Sequence, residues 1–196
     1  LANDLERIAT NFGAENIAAC IVEPTAGSTG TLVPPKGYLH RLREICDKHG
    51  ILLIFDEVIT GWGRTGSPFG SQEFGVTPDL ITMAKATTNG IVPLGAVACK
   101  EEIYDAVVDN APQGVIELFH GYTYSGIPIS VAAGLAVQDI FEKEDIFKRA
   151  KEMSPYFQEG LMSLKDLDAV ENIRGYGMMG GIDMKMDKKP GAAGFT

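Results

Sequence analysis

A chain of 196 residues with 45% apolar and 22% charged content is long enough to bury a core and too ordinary in composition for disorder or a repeat array. Its 26 acidic and 17 basic side chains leave a formal charge of −9, and with no run of Lys or Arg to release counterions from phosphates, nucleic acid is excluded as a partner. No apolar stretch reaches the length of a membrane span and no signal peptide opens the chain, so no membrane association and a cytoplasmic location are expected.

The chain opens on Leu1 without a Met and closes on Phe195 and Thr196 after a Gly-rich turn, and it is expected to be a piece of something longer. Asn3 or Asp4 can cap a first helix whose apolar positions Leu5, Ile8, Ala9 and Phe12 follow helical spacing, with Gly13 as its stop. A strand over residues 17–22 then ends at Glu23 and Pro24. The Gly- and Pro-dense loop PTAGSTGTLVPPKG leads into a second helix, marked by Leu39, Leu42, Ile45 and Cys46 and closed by Gly50. Next comes ILLIFDEVITGWG, residues 51–63, in which an apolar run leads straight into Asp56 and Glu57; it reads as a strand buried on both faces of a parallel sheet. Residues 80–83 and 95–99 read as two further short strands, with a helix over 101–108 behind the second. Helical patterning returns at Pro128, a first-turn proline, and lasts to Leu164. The segment VENIRGYGMMGGIDMKM reads as paired strands around Gly turns and opens a second, smaller subdomain, which puts the boundary between 1–145 and 146–196.

Strands alternating with helices give an α/β fold with a mostly parallel sheet. By the rule that open α/β sheets bind ligands outside the carboxyl ends of their strands, Glu23, Asp56 and Lys85 converge on one side. An unpaired acid beside a core is costly, so Asp56 should meet a cation. Lys85 follows Met83 and Ala84; in apolar surroundings a lysine loses hydration, its neutral form gains, and it becomes a nucleophile toward carbonyls. Such lysines form Schiff bases with pyridoxal phosphate, whose ring nitrogen stays protonated best beside a carboxylate. Cys20, Cys46 and Cys99 lack CxxC spacing and are expected to be buried reduced thiols, and His40, His49 and His120 form no metal-binding pattern.

The residues VEPTAGSTGTLVPPKGYL, FDEVITGWGRTG, AKATTNGIVPLGA and HGYTYSG, linked in this order, resemble the class III pyridoxal-phosphate aminotransferases, and within them the omega-amino-acid:pyruvate branch. The likeness covers essentially the whole chain. It implies the type I fold of pyridoxal-phosphate enzymes: the second half of the large cofactor-binding domain and the start of the small C-terminal α/β domain. It implies that Lys85 carries the cofactor and relays a proton, and that Asp56 pairs with the pyridinium nitrogen. Val58, two residues on along an extended chain, would cover a ring face. Thr123 would reach the cofactor phosphate from a neighbouring subunit, making a homodimer or dimer of dimers with shared sites. Glu23 would lie near the cofactor. The implied partners are an amino donor and a 2-oxo acid, pyruvate in this branch.

Ile59 stands where ornithine and 4-aminobutyrate members usually carry Gln, and Ile127 replaces the His common at that interface motif. The family's Gly/Ser phosphate-binding turn, one ring-stacking aromatic and its carboxylate-gripping C-terminal arginine fall outside the chain, so the chain alone is expected not to turn over substrate. A same-fold aminomutase or decarboxylating transaminase would need the same Lys85 and Asp56. A nucleotide-binding module reads residues 51–57 as a Walker B strand, but the matching GxxxxGK[ST] loop is not in the sequence. The blander readings make Lys85 a surface lysine, Val58 core, Thr123 a turn residue, Glu23 a helix cap or partner of Arg64, and Glu57 a structural acid bonded to backbone or Arg64.

Overall fold

The computed structural model describes residues 1–118 and 121–185. Helix α1 (Asn3–Phe12) precedes strand β1 (Ala19–Val22), helix α2 (Tyr38–His49) and strand β2 (Leu52–Asp56). A short helix α3 (Gly70–Phe74) leads to β3 (Leu80–Met83), β4 (Ala96–Cys99) and helix α4 (Glu101–Asp109). Two long helices, α5 (Pro128–Lys143) and α6 (Ile146–Met162), then run into a hairpin of β5 (Val170–Tyr176) and β6 (Met179–Met184). The main sheet has the order β1-β2-β3-β4; the first three strands are parallel and β4 runs antiparallel to β3.

Several local expectations change. The first helix includes Asn3 and Asp4, with Ala2 at the cap position and no side-chain cap, so Asp4 acts on the helix dipole instead. The first strand starts at Ala19 rather than at residue 17, because Ile17 caps the 3₁₀ turn Ala14–Asn16, its N–H donated to the Ala14 carbonyl. Gly13 and Gly50 do terminate α1 and α2, and Pro128 does occupy the first turn of α5. All three cysteines are free, but only Cys46 is buried; Cys20 is half-buried and Cys99 exposed. His120 lies outside the described residues.

The sheet is covered on one face. Leu53 and Phe55 of β2 point into a core made with Ala9 of α1, Leu39, Leu42 and Cys46 of α2, and Ile51 and Val76. Each fully buried aliphatic or aromatic side chain there contributes about 1.5–3 kcal/mol. The opposite face of the sheet leaves Ile21 at 61%, Leu52 at 37% and Val97 at 65% of full exposure, so β2 is not buried on both faces as its apolar run suggested. The run satisfies a layer on that second face which the described residues do not supply.

Asp79 ties the layers together. Its carboxylate accepts from Arg43 of α2 (2.8 Å) and from the Leu53 N–H of β2 (2.7 Å), and pairs with Lys100 (2.8 Å) ahead of α4. Burial works to raise its pKa, yet the hydrogen bonds from Lys100, the Leu53 amide and Arg43 outweigh that and hold it below the ordinary range. A carboxyl depressed in the folded state adds stability above its unfolded pKa and loses it as pH falls through the folded one. Asp79→Ala should therefore cost about 3–5 kcal/mol in urea unfolding at neutral pH, by leaving Arg43 and the amide unpaired. The difference from the parent should shrink as pH falls below the unfolded value of 3.8 and through the lower value at which folded Asp79 protonates.

Candidate active site

At the end of β2 the chain turns. The Asp56 Oδ1 accepts the Val58 N–H (3.0 Å) and the Thr82 hydroxyl (3.1 Å), and Thr82 is its register partner across the parallel pair. No Lys, Arg or His among the described residues forms an ion pair with Asp56, so the expected cation is not supplied by them. Its Oδ2 has no hydrogen-bond partner among the described residues. Alternation along the strand sends the neighbouring Glu57 the other way, to complete burial. There Glu57 accepts from the Thr60 hydroxyl (2.9 Å) and from the Gly70 and Ser71 N–H groups at the start of α3. That is the backbone-bonded structural role, and it uses up the second acid that a magnesium-binding strand would have offered.

Beyond β3, Lys85 begins a 3₁₀ turn (Lys85–Thr87) with φ +47°, a left-handed backbone that costs a side-chain-bearing residue about 1–2 kcal/mol. The turn is braced: Thr87 Oγ1 accepts the Trp62 indole N–H (3.0 Å) and donates to the Ala84 carbonyl (3.0 Å). Trp62, itself at φ +65°, packs at a tilt against Phe69 and Phe141, with centroids 5.0 and 5.8 Å away. The structure thus holds Lys85 on a strained, buttressed turn, but its side chain is exposed rather than enclosed in apolar surroundings.

Lys85 borders a cavity of about 460 Å³, within the range of small-molecule sites. Val58, Ile59 and Arg64 line it from the segment after β2, and Gly27, Ser28 and Thr31 from the loop after β1. Met178, Met179 and Gly180 close it from the hairpin. Val58 reaches the cavity from a turn, not from an extended chain, because β2 has already ended at Asp56. Glu23 does not line the cavity; its Oε2 accepts the Gly27 N–H (2.8 Å) and so shapes the wall, with no bond to Arg64. A Cβ on Gly27 would stand 2.5 Å from Ile59 Cδ1, so the Ile59 side chain would have to shift to admit one. Thr123 sits on an exposed turn away from the cavity.

The hairpin is fixed to this site by contacts that sequence reasoning did not find. The Met178 N–H donates to the Arg64 carbonyl (2.8 Å), and Gln158 of α6 donates to the carbonyls of Gly177 (2.8 Å) and Met179 (3.0 Å). Gly177, at φ +58°, lies so close that a Cβ would be 2.6 Å from that Arg64 carbonyl. Arg174 donates to the Gly30 carbonyl (2.8 Å) while pairing with Asp183, which joins the hairpin to the Gly27–Thr31 loop. The Gly-rich GWGRTG signalled a tight turn, but nothing local in the sequence announced its hairpin partner.

Among known proteins, the family model "Aminotransferase class-III" matches residues 1–193. The chain is 57% identical over 192 residues to an omega-aminotransferase of Caulobacter vibrioides, covering 98% of this chain and 43% of that protein. It is 51% identical over 185 residues to the beta-alanine–pyruvate aminotransferase of Pseudomonas aeruginosa, covering 94% of this chain and 41% of that protein. Among solved structures, an (S)-enantioselective omega-transaminase from Thermomicrobium roseum superimposes with a TM-score of 0.88 at 41% identity, over 95% of this chain and 41% of that one. The chain thus spans about two-fifths of the length of the relatives it matches, and its mostly parallel sheet with flanking helices is part of the type I fold of pyridoxal-phosphate enzymes. With a match this long, at these identities and in this fold, the chain belongs to the class-III aminotransferases.

Proposed function

We propose that the intact protein transfers an amino group from an omega-amino acid or amine to pyruvate, using pyridoxal phosphate. The observation that carries this reading is Lys85, an exposed amine on a braced left-handed turn at a strand's carboxyl end, opening onto a cavity one strand away from Asp56. Both groups suit the cofactor, since Lys85 has no acidic partner among the described residues and Asp56 keeps Oδ2 free. When bound, the cofactor supplies an electron sink for the carbon that bears the migrating nitrogen. Lys85 Nζ would tether it, and would take and return the proton at that carbon. Asp56 would be the carboxylate that favours a protonated ring nitrogen. Val58, which lines the cavity, would pack against the group, and Glu23 holds the Gly27 wall in place.

Residues 1–145 serve as the second half of the large domain and 146–196 as the connecting helix and start of the small domain; the break between α5 and α6 at Glu144 and Asp145 supports this division. We place Thr123 at a subunit boundary of a homodimer or dimer of dimers, where it would reach a neighbour's cofactor phosphate. Its exposed turn sits near Ile116 and Leu118 in sequence, both more than half exposed. A cytoplasmic location is part of this reading. No helix among the described residues is long and apolar enough to cross a membrane. Taken alone, the chain is inactive in this reading, because one face of its sheet remains open.

Purified intact protein should be yellow, and borohydride should bleach it and fix the cofactor to the Lys85 peptide. With an omega-amino acid as donor, pyruvate should outperform 2-oxoglutarate by about tenfold or more, because the apolar Ile59 wall offers no donor to a second carboxylate. Colourless protein, or a preference for 2-oxoglutarate, would defeat the proposal.

A further inference from the structure

Trp62 does not line the cavity, yet a short chain of bonds joins it to the lysine turn. Its indole N–H donates to Oγ1 of the buried Thr87 (3.0 Å), and that hydroxyl donates in turn to the Ala84 carbonyl (3.0 Å). The same carbonyl accepts the Thr87 N–H (3.0 Å). With its acceptor side occupied by the indole, the hydroxyl directs its one proton at Ala84. The Ala84 carbonyl and the Lys85 N–H share one rigid peptide plane. Two bonds to that carbonyl therefore fix the plane from which the Lys85 backbone turns to φ +47°, and with it the direction in which the side chain leaves the chain. No bond of the side chain's own competes, since among the described residues it takes part in no hydrogen bond or ion pair.

Trp62 is itself anchored at both ends. Its main-chain N–H donates to the Pro68 carbonyl (2.6 Å), and its ring packs at a tilt on Phe69 and on Phe141 of α5, which meets Phe147 of α6 with centroids 5.3 Å apart. Helix α5 also closes on the far side of the turn, where a Cβ on Gly134 would stand 3.6 Å from the Thr87 carbonyl. We propose that Trp62 is a positioning residue for amino-group transfer: its indole N–H, acting through Thr87, aims the Lys85 amine at the carbon whose proton it moves. The proposal rests on the transaminase reading and adds a residue outside the cavity to its machinery. A buried indole N–H finds an acceptor in most folds, and by itself that is only packing. Here the acceptor is the hydroxyl that grips the peptide plane of the lysine, and a misplacement of about 1 Å in a reacting group costs on the order of 10²-fold in rate.

Three variants of the intact protein test this. Trp62→Phe keeps a ring against Phe69 and Phe141 and loses the N–H; Thr87→Val removes the hydroxyl at similar shape; Thr87→Ser keeps it. With β-alanine as donor and pyruvate as acceptor, kcat should fall about 10- to 100-fold in Trp62→Phe and in Thr87→Val, with KM for the donor within about twofold of the parent, while Thr87→Ser keeps most of the rate. The double variant should be no slower than the slower single one, because both changes remove the same bond. In the cofactor-free protein, amide hydrogen exchange in the peptide spanning residues 84–88 should quicken about 5- to 10-fold in Trp62→Phe and Thr87→Val and not in Thr87→Ser. A folded Trp62→Phe protein with the parent's kcat, additive losses in the double variant, or unchanged exchange would each overturn the proposal. Should Trp62→Phe fail to fold, Thr87→Val against Thr87→Ser decides by the same two measurements. If the parent transfers no amino group, the transaminase reading falls on its own; quickened exchange then still upholds the hold of Trp62 on the lysine turn, and unchanged exchange overturns it.

Discussion

Replacing Lys85 with alanine in the intact protein is expected to lower kcat for transamination by at least about 10³-fold and to abolish borohydride fixation of the cofactor. Two roles converge on the same Nζ, tethering the cofactor and moving the proton at the donor carbon, and no other amine among the cavity-lining residues can take either over. Thermal stability should change little, because the exposed side chain makes no hydrogen bond or ion pair among the described residues. The left-handed backbone is held by Trp62 and Thr87, so alanine inherits the turn and its strain without a collapse of the site. Lys85→Arg keeps the charge but cannot act as a neutral nucleophile, and should be as inactive as alanine. A variant that kept a tenth of the parent's rate would remove Lys85 from the chemistry.

What could be read in advance follows from the range of the interactions. The strand ends that carry Glu23, Asp56 and Lys85 were visible because each is announced by a local apolar run, and parallel pairing then places them along one edge. The partners of those residues were not visible. That Glu23 holds Gly27, that Trp62 braces the lysine turn, and that Met178 closes the cavity against Arg64 all depend on how loops fold over the sheet. Helix α3 was missed because five residues carry no period, and its start is fixed by Glu57 from thirteen and fourteen positions away. The exposed second face of β2 escaped for a different reason. An apolar run reports the environment in which the whole protein will place it, and the described residues furnish only one of the two layers.

Glu57→Ala is expected to destabilise the fold by about 3–5 kcal/mol in denaturant unfolding, as large an effect as that of Asp79→Ala. The side chain is fully buried, and removing it leaves the Gly70 N–H and the Thr60 hydroxyl without acceptors in a buried site, and the partly buried Ser71 N–H with them. Glu57→Gln should be only partly better, because one end of an amide is a donor and would face an N–H at the start of α3. The loss should also reach the active site. Glu57 donates its own N–H to the Thr82 carbonyl (2.9 Å), and Thr82 in turn holds the Oδ1 of Asp56. Freed of its anchor on α3, the turn after β2 loosens, and cofactor affinity should fall along with stability although Glu57 touches nothing in the cavity. A Glu57→Ala protein that unfolds within 1 kcal/mol of the parent would mean that water or a shifted loop replaces all three bonds, and that the turn is held by the strand alone.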